Sequence, residues 1–95
     1  MSIPSDLQAL YDAADRFIAL ANEMAQNDTS GIAGTALRYA AARYSAFEAS
    51  MMSENLAADK AKMQTLFTDD FAKMMDDNLN AYIRHLAMQS IPSTR

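Results

Sequence analysis

Ser5-Asp6-Leu7-Gln8-Ala9-Leu10-Tyr11-Asp12-Ala13-Ala14-Asp15-Arg16-Phe17-Ile18-Ala19-Leu20-Ala21-Asn22-Glu23-Met24 decides the fold class. Leu7, Leu10, Tyr11, Ala14, Phe17, Ile18, Ala21 and Met24 recur at alternating steps of three and four, which puts them on one stripe of an α-helix. Asp12, Asp15, Arg16, Asn22 and Glu23 take the opposite face, with Asp12 and Arg16 at an ion-pair spacing. Ser5 followed three residues later by Gln8 has the spacing of a capping box, and Asp6 suits the positive end of the helix dipole.

Outward from this helix, Asn27-Asp28-Thr29-Ser30-Gly31 is the clearest turn signal in the chain. Thr29 or Ser30 is the expected N-cap of a second helix. Gly34, inside its first turn, should weaken that start by about 1 kcal/mol relative to alanine. Ile32, Ala36, Leu37, Ala40, Tyr44, Phe47 and Met51 form its stripe, and Ala41, Ala42, Ala46 and Ala49 spread small apolar surface around the rest. A helix apolar nearly all round is expected to be central and buried. A break is expected in Met52–Asn55, where Ser53 and Asn55 are capping residues; one uninterrupted helix is the rival.

A third helix follows from about Leu56 to Gln89 and cannot continue through Pro92. Its apolar positions are Met63, Leu66, Phe67, Phe71, Met74, Met75, Leu79, Tyr82, Ile83 and Leu86. Met1–Pro4 and Ser90–Arg95 read as frayed ends. The 95 residues are expected to form a single helical domain, 1–95, all-α: an antiparallel three-helix bundle with a long C-terminal third helix.

Composition supports this and narrows the function classes. The chain has 8 methionines, one histidine, no cysteine, no tryptophan and no valine, a helix-forming alphabet with little of what strands favour. Without cysteine there is no disulfide, thiolate nucleophile or Cys-based zinc site. A net charge of −4 argues against a nucleic-acid backbone or an anionic membrane as partner. No apolar run approaches the roughly 20 residues that span a bilayer, and no secretory leader is visible, so a cytoplasmic location is expected.

Phe17-Ile18-Ala19-Leu20-Ala21-Asn22, Tyr39-Ala40-Ala41-Ala42-Arg43-Tyr44 with Phe47, and Asn78 with Tyr82 resemble a family of short bacterial all-helical proteins known only as a domain of unknown function. The likeness covers about residues 10–85. It implies a small soluble helical domain with a helix break near Ser53, and it brings no catalytic residue, cofactor or partner.

Few side chains could carry chemistry. His85 has Tyr82, not glutamate, three positions before it, and only Glu23, Glu48 and Glu54 are available, so a single chain cannot build a di-iron site. His85 is expected to be an ordinary surface or interface residue. Asp69, Asp70, Asp76 and Asp77 are interleaved with Lys73, the pattern of a solvated, charge-laced face. Met63, Met74 and Met75 fall in the stripe and are expected to fill the core. Asn78 lies on the same seam, where an amide selects a register.

Arg43 is the charge of interest. Between Tyr39, Tyr44 and Phe47 on a helix expected to be buried, it should meet a carboxylate or several carbonyls, with Asp12, Asp15 and Asp70 as candidate carboxylates. The structural reading is a buried ion pair; the functional one is an anion-binding arginine in a groove, with Tyr39 and Tyr44. No serine–histidine–acid set, phosphate loop or dinucleotide fingerprint can be assembled.

The expectation is therefore a non-enzymatic interaction or structural protein without cofactor or metal, acting as a homodimer or binding another protein. A helix of 34 residues spans about 51 Å against about 32 Å for the first, so its end should overhang the bundle. Leu79, Tyr82, Ile83 and Leu86 on that overhang are the expected dimer interface. The alternative is a small-molecule or anion-binding module built on Arg43, Tyr39 and Tyr44.

Overall fold

The computed structural model describes residues 5–90, with side chains over 6–89. They form three α-helices: α1 (Ser5–Asn27), α2 (Ile32–Met52) and α3 (Leu56–Ser90). At 35 residues α3 is by far the longest, about 53 Å at the helical rise. No strand occurs among the described residues. The all-α class, the three helices and the long C-terminal helix agree with the sequence. The expected frayed ends concern residues 1–4 and 91–95, outside the described region; α3 itself runs on to Ser90.

Local chemistry explains each boundary. At the start of α1 the Leu7 N–H donates to Asp6 Oδ1 at 3.0 Å, which meets one of the free donors of a helix end. The Gln8 side-chain amide donates to Asp12 Oδ1 at 2.9 Å, and the Ser5 half of the expected capping box lies outside the described side chains.

Between α1 and α2 the Asp28 N–H closes onto the Met24 carbonyl at 3.1 Å. Asp28 Oδ1 then accepts from the Ser30 N–H at 2.8 Å, and Ser30 Oγ accepts from the Ile32 N–H at 3.3 Å. Gly31 sits at φ +93°, a conformation that side chains with a Cβ resist, and its carbonyl accepts from the Thr35 N–H. Ser30 is thus the expected capping side chain, acting one residue outside the helix.

The break between α2 and α3 lies where the capping residues placed it. Asn55 is the N-cap of α3: its Oδ1 accepts from the Ala58 N–H at 3.1 Å and its carbonyl from the Asp59 N–H at 3.0 Å. Ser53 Oγ accepts from the Asn55 N–H at 3.2 Å and donates to Asp59 Oδ2 at 2.6 Å. Every residue between Met52 and Leu56 therefore has a backbone or side-chain reason not to continue the helix, apart from Glu54.

The chain divides into two compact units at Phe47/Glu48, within α2. In the first, Ala33 is buried; Leu7, Ala14 and Ala21, seven apart on one side of α1, are half-buried, as are Gly34, Ala36 and Ser45 of α2. In the second, Ala49 and Met63 are buried, with Ser53, Asp59 and Phe67 half-buried around them. Asp59, Met63 and Phe67 are four apart and share one side of α3.

Two packing expectations are corrected. Only Ala33 and Ala49 of α2 are buried, so the helix is not covered nearly all round. Alanines spread around a cylinder make it permissive of close neighbours without supplying any, and here most of the cylinder stays open. Of the three methionines expected in the core, Met63 is buried, whereas Met74 and Met75 are 49% and 42% exposed.

Candidate functional site

A groove in the first unit is lined by α2 residues: Ile32, Thr35, Ala36, Tyr39, Ala40, Arg43, Tyr44 and Phe47. They follow one another at steps of three and one, the pattern of a single helix face about four turns long. The groove has a volume of ≈ 730 Å³. Small side chains at Ala36 and Ala40 form its floor, and Ile32, Tyr39, Tyr44 and Phe47 rise around them.

Arg43 stands in this face, and the expectation that it is buried beside a carboxylate is not met. The residue is exposed, and its guanidinium carbon lies 5.2 Å from the centre of the Tyr39 ring. That is a cation–π distance. Stacking on a ring is open to a planar guanidinium without desolvating it, so Arg43 needs no buried ion pair here. Asp12, one of the expected partners, instead accepts from the Gln8 side-chain amide at 2.9 Å. Tyr44 contacts Phe47, with ring centroids 5.7 Å apart and planes tilted by 49°. Arg38, off this face, donates to Thr35 Oγ1 at 3.4 Å at the groove's N-terminal end.

Arg43, Tyr39 and Tyr44 are therefore brought together as the sequence suggested. Ile32, Ala36, Ala40 and Phe47 read in the sequence as a stripe of buried core, whereas here they line an open face. The signal that this face is open was Arg43 itself, a full charge within the stripe.

On α3, Leu79, Tyr82, Ile83 and Leu86 are 54%, 66%, 62% and 57% exposed. Phe71, Met74 and Met75 continue the same apolar arc toward the N-terminus and are also exposed. At 100° per residue, Asp69 and Asp76 border one edge of the arc and Asp70 and Asp77 the other. Asn78 does not stand unsatisfied on this seam: its side-chain amide donates to the Met74 carbonyl of its own helix at 2.8 Å. Asn80 donates to Asp76 Oδ2 at 3.4 Å. His85 is exposed.

Among the described residues no group of three or more histidines or carboxylates could hold a metal ion. Among the described residues no helix is long and apolar enough to cross a membrane.

No curated protein and no solved structure matches the chain. A family model does, over residues 10–83, which takes in α2 with its groove and most of α1 and α3. The chain belongs to the family described as "Protein of unknown function (DUF3144)".

Proposed function

We propose that the protein is a non-enzymatic helical interaction protein that works as a homodimer. One observation carries this reading: Leu79, Tyr82, Ile83 and Leu86 form a continuous apolar stripe on α3 that the chain leaves more than half exposed. At about 25 cal/mol per Å² of apolar area, keeping such a stripe in water forgoes several kcal/mol. A second copy is the commonest cover for a face of this kind, and its usual symmetry is two-fold. A cytoplasmic location belongs to the same proposal.

Light scattering after gel filtration tests it on the wild type and on Ile83→Lys with Leu86→Lys. A two-chain mass for the wild type and a one-chain mass for the double variant are expected. A one-chain wild type at tens of micromolar overturns the homodimer. If the fold needs its partner, the double variant also loses helicity, so the wild-type mass is the deciding measurement.

A second reading is favoured by the groove. Arg43, Tyr39 and Tyr44 line it together, an arrangement able to hold a planar anion between a guanidinium and aromatic faces. A thermal-shift screen of small anions and metabolites tests it, with Arg43→Lys as the control that keeps the charge and loses the fork. No hit at millimolar ligand removes this reading.

A further inference from the structure

We propose that the α2 groove and the α3 stripe are the two halves of one interface: the groove of each copy receives the stripe of its partner, and the exchange is reciprocal. The inference rests on the homodimer reading and adds to it the surface that covers the stripe.

The groove is incomplete. All eight of its lining residues come from α2, so its floor and its low walls belong to one helix face. Pockets for small molecules enclose most of their ligand, which needs walls from several elements. A face with steps of three and four and an apolar floor is instead the usual seat of another helix.

The α3 stripe fits in length and in charge. The groove runs from Ile32 to Phe47 and the arc from Phe71 to Leu86, each 16 residues and about 24 Å. Arg43 lies three to four residues beyond the groove's midpoint. With midpoints aligned and the helices antiparallel, it comes opposite Met75 and Asp76; aligned in parallel, it comes opposite Tyr82, beside Arg84 and His85. Only the antiparallel alignment brings a carboxylate to the guanidinium. Asp76 on one edge of the arc and Asp77 on the other lie one and two residues from that level.

Area agrees. With roughly 100 Å² for each half-exposed large side chain, seven on the arc and four in the groove give about 1,100 Å² per contact. Two such contacts in a two-fold pair come to about 2,200 Å², within the range of obligate homodimers.

The test uses two charge-reversed variants, Arg43→Glu and the pair Asp76→Arg with Asp77→Arg, each alone and in an equimolar mixture. Light scattering gives their masses and circular dichroism their helicity. In either variant alone both contacts place like charges together, so a one-chain mass, or an unfolded chain, is expected. In the mixture one contact is arginine to aspartate and the other glutamate to arginine, so the two-chain mass and full helicity should return. A variant that merely misfolds is not rescued by mixing. A two-chain mass for Arg43→Glu alone, or no recovery in the mixture, overturns the reciprocal interface while the homodimer stands. A one-chain wild type overturns both.

Discussion

Gly34 and Gly31 differ by three positions and should answer the same added methyl in opposite ways. A Cβ on Gly34 meets nothing closer than the Arg38 guanidinium at 3.6 Å, an ordinary contact with the flexible end of a side chain. Gly34→Ala should therefore stabilise by about 0.5–1 kcal/mol through helix propensity. Gly31 has open space around it, yet its φ of +93° strains any L side chain, so Gly31→Ala should destabilise by about 1 kcal/mol. Urea melts of both variants decide, and shifts of the same sign would contradict the assignment. Beside them, Asp28 accepts hydrogen bonds from the Ser30 backbone and then its side chain, which hold its carboxyl below the ordinary value of 3.8. A folded-state value below the unfolded one means that the contribution is present above 3.8 and is lost as pH falls through the folded midpoint. Carboxyl-carbon NMR should give an Asp28 midpoint under 3.8, and one at or above it would show the turn to be open in solution.

At the scale of elements, the helix ends were legible in the sequence because turn chemistry is local. Asp28, Ser30, Gly31, Ser53 and Asn55 do their work on backbone groups within four residues of themselves, so their identity and order suffice. Asn55→Ala should cost about 1 kcal/mol, since it removes the acceptor of the Ala58 N–H. Asn55→Asp should recover most of that loss by restoring the oxygen near a helix N-terminus. Equal losses for the two would show that the cap is not what starts α3. Burial was harder to read, because a helical stripe records only that a face is apolar and not what covers it. Leu37, Phe47 and Met51 sit in such a stripe and are all exposed. Arg43 shows the same thing: its apolar neighbours imply a buried charge, whereas the residue is exposed and stacks on Tyr39. Arg43, Tyr39 and Tyr44 were nonetheless found together, since spacing along one helix fixes which side chains share a face.

For the whole molecule, the question is what holds the helices folded. Ala33, Ala49 and Met63 are the buried hydrophobic residues among those described, and two of them are alanines. Alanine burial removes little area from water, and most of the large apolar side chains keep 40% or more of their surface exposed. Conformational entropy costs about 1–2 kcal/mol per ordered residue, which so small a core does not offset. If a second copy supplies the missing burial, folding and association are one equilibrium, and stability depends on concentration. Each tenfold dilution then removes about 1.4 kcal/mol from the dimer. For two chains together, of 150–250 residues in size class, that lowers Tm by roughly 3–6 °C. Scanning calorimetry or circular dichroism melts over a hundredfold range of protein concentration, in one buffer, should therefore show Tm falling by roughly 6–12 °C on dilution. A Tm independent of concentration would mean that each chain completes its own core. The interface between copies would then have no part in stability.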